Sequence, residues 1–150
     1  MTVEIKGPWS AQRITQYLEN ATHPMRLASV GADGYPRVVS LWYRYEAGNL
    51  LCVTHKSAKL LSLLRKDNRV GFEVAPNEPP YMGVRGQGHC SIEPLGEKST
   101  LEELLSRYLG GFDSSLANWL LSRSDEEVLI TIAPIKLFAW DYSQRMADAG

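Results

Sequence analysis

The chain has 150 residues, 44% of them hydrophobic and 22% charged, which suits one globular domain with one hydrophobic core. Its formal net charge of −1 creates no overall field that would attract nucleic acid or an anionic membrane, so neither is expected as a partner. The sequence therefore predicts a single domain over residues 1–150, in which any anion site is a local cluster of basic side chains.

Residues 1–22 are predicted to form a helical lid over one end of the domain. Ile14 and Leu18 follow Ser10 at helical spacing. The segment carries charges throughout and lacks the uninterrupted apolar core of a signal peptide. No apolar run elsewhere approaches the ~20 residues that cross a bilayer. Both cysteines lie on predicted strands and are interpreted as reduced and buried, so a cytoplasmic location is expected.

Three predicted strands follow, joined by tight turns. Met25 to Val30 turns at Ala32-Asp33-Gly34, where glycine tolerates a positive φ. Arg37 to Tyr45 alternates its side chains with a period of two, which is typical of a half-buried strand. A turn over residues 46–49 leads to the strand Leu50 to Val53. These segments predict an antiparallel meander.

The end of the third strand forms a corner suited to anions. Residues 54–59, Thr-His-Lys-Ser-Ala-Lys, offer hydroxyls, an imidazole, two ammonium groups and the first amides of the next helix. Arg37, one strand away, would close such a site. The alternative is that Lys56 and Lys59 are solvated charges and Ser57 is the N-cap of the helix Ser57 to Lys66. These residues alone leave both interpretations open.

The middle of the chain is predicted to contain two further strands separated by a proline-rich loop. Residues 70–74 alternate apolar side chains, and Pro76 to Pro80 can only be a loop. The long strand Tyr81 to Glu93 contains glycine at positions 83, 86 and 88. That is more glycine than a strand interior favours, which indicates a bend, a bulge or the close approach of a ring or a partner's backbone.

The last third is predicted to hold two helices and two closing strands. Thr100 and Glu103 form a capping box for a helix that ends at Gly110, and Asp113 caps the next one. The closing strands are residues 128–132 and 136–142, split by Pro134. The total is six or seven strands and four helices, and residues 143–150 are expected to be a short tail.

Two other chemistries are not indicated. The three histidines and the cysteines Cys52 and Cys90 show no metal-ligand spacing, so no metal site is expected, although a pairing of the two cysteines stays open. Ser40 and Ser57 lie in no nucleophile elbow, and no acid or base is expected in register with either. A serine hydrolase is therefore not predicted.

The order and spacing of several short segments resemble the flavin-binding split barrel of the pyridoxamine 5′-phosphate oxidase-like superfamily, over roughly Pro24 to Trp140. The segments are Arg37-Val38-Val39-Ser40, Val53-Thr54, Ser57-Ala58-Lys59, Asp67 to Phe72 and Val84-Arg85-Gly86. This resemblance implies a mainly β fold with flanking helices (α+β). The barrel would be antiparallel, split, six- to seven-stranded, Greek-key-like and homodimeric.

The resemblance further implies that FMN is the cofactor. Arg37 and Lys59 would hold its phosphate, helped by Ser57 and the amide of Ala58. The backbone of Val38, Val39 and Ser40 would run beside the ring and ribityl chain, and Val53 and Thr54 would flank the ring. Trp140 would lie by the flavin of the neighbouring subunit. The cofactor-binding residues implied in this way are Arg37, Val38, Val39, Ser40, Val53, Thr54, Ser57, Ala58, Lys59 and Trp140.

Two departures narrow the function that the resemblance implies. Ala58 stands where the enzyme that oxidises pyridoxamine phosphate has a second basic residue, and the C-terminal Arg-x-His signature of that enzyme is missing. Pyridoxamine phosphate is thus not the expected substrate. The implied protein is an FMN-dependent oxidoreductase acting on an unidentified small molecule, a C2 homodimer with two cofactor sites at the seam. The alternatives are an F420-dependent reductase of the same fold and a non-catalytic flavin- or haem-binding protein.

Overall fold

One mainly antiparallel sheet organises the chain in the computed structural model, which describes residues 2–149. Within that range its eight strands run in the order β3-β2-β6-β7-β8-β5-β4, and β1 pairs in parallel with β8. The sheet is not closed. The strands are β1 (Glu4–Lys6), β2 (Met25–Val30), β3 (Pro36–Leu41), β4 (Arg44–Glu46), β5 (Asn49–His55), β6 (Arg69–Val74), β7 (Met82–Pro94) and β8 (Glu127–Asp141).

Five α-helices and one 3₁₀ turn flank the sheet within the same residues. They are α1 (Ala11–Asn20), α2 (Lys59–Lys66), α3 (Ser99–Leu109), α4 (Ser115–Ser122), the 3₁₀ turn Ser124–Glu126 and α5 (Ser143–Ala149). Among these helices, none is both long enough and apolar enough to cross a membrane. The α+β class with a mainly antiparallel sheet is confirmed, and the architecture is consistent with a split barrel.

The predicted element counts were too low in three places. The strand β1 is three exposed residues, which carry no alternation to detect. The strand predicted over Arg37 to Tyr45 breaks at Trp42 and Tyr43 into β3 and β4. The expected tail is largely the helix α5, whose sequence has no apolar stripe; residue 150 lies outside the described residues.

The break between β3 and β4 places two halves of one segment at opposite edges of the sheet. β3 pairs with β2 at one edge of the sheet, and β4 pairs with β5 at the other, so one bent segment connects the two edges. Tyr43, at the bend, is fully buried, and its hydroxyl donates a 2.7 Å hydrogen bond to the carbonyl of Leu18 in α1. This long-range anchor holds the bend and ties α1 to the sheet.

The two closing strands predicted around Pro134 are one strand, β8. Pro134 has no N–H to donate, but the pairing of β5 with β8 ends at Ile132 and the pairing of β1 begins only at Lys136. On the other side of β8 the register shifts between Gln87 and Gly88, opposite Pro134. The proline therefore lies where a missing N–H interrupts the fewest backbone hydrogen bonds. The irregularity that the glycines of β7 indicated is confirmed by this register shift.

The hydrophobic interior has two parts. The main cluster lies between the sheet and the helices α1 and α2, which contribute Ile14 and Leu18, and Leu60, Leu61 and Leu64, respectively. A smaller cluster lies under α3 and α4 and includes Leu101, Leu105 and Ala117. The helices thus cover one face of the sheet and the β4–β5 end.

Two predicted helix caps are wrong, and so is the cap at Ser57 that was left open as an alternative. Thr100 lies inside α3, whose N-cap is Lys98 with no side-chain bond, so no capping box forms. The cap of α4 is Ser114 rather than Asp113, and its hydroxyl accepts from the amide of Ala117 at 3.0 Å. The N-cap of α2 is Ala58 rather than Ser57. The predicted stop at Gly110 is confirmed by its positive φ of 76°.

Cys52 and Cys90 lie on either side of β8, opposite Ile130 and Ile132 respectively. Two strand spacings separate them by about 9–10 Å, whereas a disulfide needs Cα atoms within ~7 Å. Both thiols are free and buried, and burial raises the pKa of Cys52 far above its usual range. Pairing of the two cysteines, left open by the sequence, is thereby excluded within this fold.

Candidate functional site

The inward face of β3 carries the predicted phosphate-binding arginine. In the β2–β3 ladder Arg37 is opposite Ser29, and Val39 is opposite Leu27, whose side chain is fully buried. Ser29 is 3% exposed, and its hydroxyl has no hydrogen-bond partner among residues 2–149. Arg37, at the start of β3, is therefore paired across the ladder with a residue whose buried hydroxyl is unsatisfied.

Arg37 already has a partner in the structure. Its guanidinium donates to a carboxylate oxygen of Asp33 at 3.2 Å, and this contact lowers the pKa of Asp33. Both side chains are about half exposed, so the pair is a surface interaction of small net strength. A bound phosphate would have to share or displace Asp33.

The start of α2 provides two open amides. The amide of Ala58 donates to the carbonyl of His55 at 3.0 Å, and the amide of Leu61 donates to the carbonyl of Ala58. The amides of Lys59 and Leu60 meet no acceptor within residues 2–149. Because the first amides of a helix carry partial positive charge, these two are the backbone donors that an anion would find here.

The histidine of this corner is engaged at both ring nitrogens. His55 Nδ1 lies 2.6 Å from the hydroxyl of Ser57 and accepts from the Ser57 amide at 3.1 Å. His55 Nε2 lies 3.1 Å from Oε2 of Glu126, and this contact, followed by the charge of Lys56, lowers the pKa of Glu126. The expectation that no acid or base is in register with Ser57 was wrong, because His55 contacts the Ser57 hydroxyl and Glu126, 71 residues along the chain, contacts His55.

The two predicted phosphate ligands lie on elements that both adjoin β2. Arg37 is cross-strand from Ser29 of β2, and α2, which begins at the exposed Lys59, packs against β2 and β7. This placement is compatible with the binding of one anion by both Arg37 and Lys59. That the two side chains bind the same phosphate stays a prediction.

The outer face of the sheet contains a cavity of about 640 Å³. Its floor is formed by Ala28 of β2 and Gly71 of β6, and Val38 of β3 borders it. In the ladder Val38 is opposite Ala28, so it points away from the core, and it is 65% exposed. Since β3 ends the strand order, its backbone borders this cavity along a free edge.

Charged side chains of consecutive strands surround the cavity. Three are cations, Arg26, Arg85 and Lys136, and one is the carboxylate of Glu73. Glu73 is cross-strand from both arginines, yet within residues 2–149 it forms no ion pair with either. The guanidinium of Arg85 instead lies over the ring of Phe138, at 4.4 Å from its centroid. The cavity thus keeps an excess of positive charge.

Arg26, Arg85 and Lys136 were not predicted as site residues from the sequence. The signal was present in the strand period, because Arg85 and Gln87 alternate on β7 and Lys136 and Phe138 alternate on β8. Only the register across five strands shows that they face one cavity. Such a register could not be derived from the local patterns.

The remaining predicted residues lie at different distances from this cavity. Trp140 is half-buried beside it, 5.5 Å from the Arg85 guanidinium, and closely covers Gly83. Val53 packs into the small cluster under α3 and α4 with Trp42. Within the described chain, neither Val53 nor Thr54 lines the cavity. Their role beside a ring stays a prediction.

Comparison with known proteins identifies the fold. No protein-family model and no curated protein matches the sequence. A conserved hypothetical protein of Mycobacterium tuberculosis is similar in structure, with a TM-score of 0.78, 21% identity, and coverage of 97% of this chain and 93% of that one. An F420 reductase matches with a TM-score of 0.65, 21% identity, and coverage of 87% and 98%.

A third solved structure extends the comparison. An FAD-binding protein of Mesorhizobium loti matches with a TM-score of 0.62 and 24% identity, over 86% of this chain and 92% of that one. At 21–24% sequence identity, the similarity to these three structures shows a shared fold and no more. A putative pyridoxamine 5′-phosphate oxidase of Listeria innocua also shares the fold, with a TM-score of 0.56 and 16% identity, so the resemblance stated from the sequence is confirmed at the level of the fold.

Proposed function

We propose that this chain is a split-barrel oxidoreductase that binds FMN along the free edge of β3 and acts on a small-molecule substrate other than pyridoxamine phosphate. The observation that carries the proposal is the cavity of about 640 Å³ on the outer sheet face, bordered by Val38. Its volume lies in the range of small-molecule and cofactor sites. Structural neighbours that are named for F420 and FAD support a flavin-type cofactor.

The residues present fit the two ends of such a cofactor. A Cβ on Gly71 would have no neighbour closer than 3.8 Å, so the floor is low and open enough for a flat ring. At the phosphate end the donors would be Arg37, Lys59, Ser57 and the open amides at the start of α2, beside the unsatisfied hydroxyl of Ser29. Charge-assisted donors of this kind bind phosphate strongly.

FMN, when bound, would supply the electron-transfer chemistry, and the chain would supply position and charge. The edge of β3 would orient the ring, because its outward backbone groups have no neighbouring strand. Arg85, held over Phe138 and Trp140, would place a cation at the rim and favour negative charge on whatever binds there. In this proposal none of the side chains acts as an acid–base catalyst.

A second copy of the chain is proposed to cover the outer face. Val38 is 65% exposed, and Tyr35 and Ile135, at the β2–β3 turn and on β8, are also exposed. Exposed apolar side chains such as these are common on surfaces that are buried on association. A C2 homodimer would roof the cavity and bring Trp140 of each subunit toward the cofactor of the other.

The cationic cavity favours one further candidate, an F420-dependent reductase of the same fold. F420 carries a long acidic tail, which needs an extended basic groove. Arg26, Arg85 and Lys136 provide cations beyond the phosphate corner. One structural neighbour is named as an F420 reductase. FMN remains the first choice, because Arg37, Ser57 and Lys59 match the shorter phosphate-binding pattern.

Titration of the purified protein with FMN and with F420 tests the proposal. Lys59→Ala and Arg37→Ala should each weaken FMN binding about 10- to 100-fold, the loss of one charge-assisted contact of about 1.5–3 kcal/mol. Asp33→Asn should strengthen it, because it removes the carboxylate that competes for Arg37. Lys66→Ala, an exposed lysine at the other end of α2, serves as the control and should have no effect. Equal FMN affinity in all four variants would refute the placement, and tighter binding of F420 would favour the second candidate.

A further inference from the structure

The hydrogen bonds around His55 identify which ring nitrogen carries the proton. The Ser57 amide can only donate, and it donates to Nδ1. Nδ1 must therefore be unprotonated, so the Ser57 hydroxyl, 2.6 Å away, also donates to it. The proton of the neutral ring is then on Nε2 and is donated to Glu126. This assignment follows from donor and acceptor chemistry alone.

In this state Ser57 has no hydrogen left for a phosphate. Its hydroxyl hydrogen and its amide hydrogen both point at Nδ1. A phosphate dianion offers only acceptor oxygens, so it would face the lone pairs of the Ser57 hydroxyl. The residue that the proposed function assigns to phosphate binding is thus blocked as a donor while His55 is neutral.

Protonation of His55 reverses the direction of these bonds. When Nδ1 takes up one proton from solvent, it becomes a donor to the Ser57 hydroxyl oxygen. The hydroxyl hydrogen of Ser57 is then released and can be donated to a phosphate. The imidazolium also adds one positive charge to the corner. The N–H bond to the proton taken from solvent is the one covalent bond that forms, none breaks in the protein or the phosphate, and one proton is bound per phosphate.

Two carboxylates and one ammonium group lie close to His55. Glu126, from the 3₁₀ turn, contacts Nε2 and would stabilise the imidazolium. Glu127 of β8 is opposite His55 in the ladder but is paired with Arg123 at 3.1 Å. Lys56, the next residue in the chain, opposes the added charge. Among the described residues, Glu126 supplies the carboxylate that contacts the ring directly.

We propose that His55 is a positioning residue of the phosphate site, and that FMN binds together with one proton that reorients Ser57 from the imidazole to the phosphate. The inference rests on the proposed function. It predicts that the phosphate of FMN contributes more to affinity as the pH falls. Imidazole is the side chain whose charge changes in the physiological range, so the effect lies within reach of ordinary binding assays.

The experiment compares FMN with riboflavin, which lacks the phosphate, by titration of the full chain between pH 7.0 and pH 8.5. A phosphate monoester, with a second pKa of about 6, is mostly dianionic over this range and contributes little titration of its own. In the unchanged protein the FMN-to-riboflavin affinity ratio should fall at least about threefold as the pH rises, with a limit of about tenfold per pH unit for one linked proton.

Three variants distinguish positioning from a merely structural role. His55→Gln should make the ratio independent of pH, because glutamine does not titrate. Glu126→Gln should shift the fall in the ratio to lower pH and leave riboflavin affinity unchanged, since the imidazolium loses its carboxylate. His89→Gln, an exposed histidine of β7, is the control and should keep the original profile. If His55→Gln does not fold, the Glu126→Gln profile decides, because Glu126 is an exposed side chain.

The outcomes separate the two proposals. A ratio that favours FMN equally at every pH, or a pH slope that persists in His55→Gln, overturns the role of His55 but leaves the phosphate site in place. Failure of FMN to bind at any pH overturns the proposed function, and the role of His55 with it.

Discussion

Two glycines on adjacent strands give a test of the sheet packing that places the site. A Cβ built on Gly86 of β7 would lie 2.5 Å from Phe72 Cζ and 2.7 Å from the carbonyl oxygen of Lys136. Phe72 is 4% exposed and cannot swing away into solvent. A Cβ on Gly71 of β6 would have no neighbour closer than 3.8 Å. The same substitution by alanine therefore meets opposite surroundings at the two positions.

The expected magnitudes follow from this geometry. Alanine gains about 0.5–1 kcal/mol over glycine in a strand, because the unfolded chain loses less entropy on folding. Gly71→Ala should show this gain. Gly86→Ala has the same gain but adds the cost of overpacking, about 1–3 kcal/mol. The entropic part cancels in the comparison, so Gly86→Ala should be about 1–3 kcal/mol less stable than Gly71→Ala.

Urea unfolding followed by tryptophan fluorescence measures the difference directly, and thermal unfolding should show a gap of about 2–12 °C between the variants. Two variants of equal stability would mean that Phe72 does not pack over Gly86. The register from β6 to β8, and with it the ring of cations around the outer cavity, would then be wrong.

Two further outcomes are expected. Sedimentation of the purified protein at micromolar concentration should give a dimer, because the outer face exposes Val38 and its apolar neighbours; a monodisperse monomer would contradict the roofed cavity. The side-chain and backbone hydrogen bonds from Arg69 lower the pKa of Asp67 to about 2, so Arg69→Gln should raise it in an NMR titration. Because the folded-state pKa is depressed, this contact stabilises the fold at pH values above the unfolded-state pKa and is lost as the pH falls through about 2. An unchanged pKa in Arg69→Gln would show that the ion pair is absent in solution.

Local signals in the sequence were sufficient for turns and for most strands. Gly34 and Gly48 adopt the positive φ that their turns require, and the glycines of β7 mark a register shift and two close approaches. The break at Tyr43 had no such signal. It is fixed by Leu18, 25 residues away, and by Tyr108, whose hydroxyl accepts from the Tyr43 amide across 65 residues. Contacts of this range are invisible to periodicity.

In the candidate site, too, local sequence signals identify some residues, whereas long-range contacts decide their surroundings. Arg37, Ser57 and Lys59 could be singled out because their residue types and spacing suggest phosphate binding. The neighbours that decide how they behave come from elsewhere in the chain: Asp33 engages the arginine, and Glu126 engages the histidine that holds the serine. Sequence patterns identified donors, whereas only the fold shows which donors are already in use.

The geometry of β3 explains how one ligand could use both parts of the site. Arg37 and Val38 are consecutive, so their side chains lie on opposite faces of the strand, and that of Val38 borders the outer cavity. A ligand that contacts both must cross the strand at an edge, because a strand paired on both sides leaves no passage. β3 pairs only with β2 and ends the sheet order, so its other edge is open. An elongated molecule with an anionic end and a flat apolar end fits this path, and neither a compact anion nor an uncharged ring alone would use all of it.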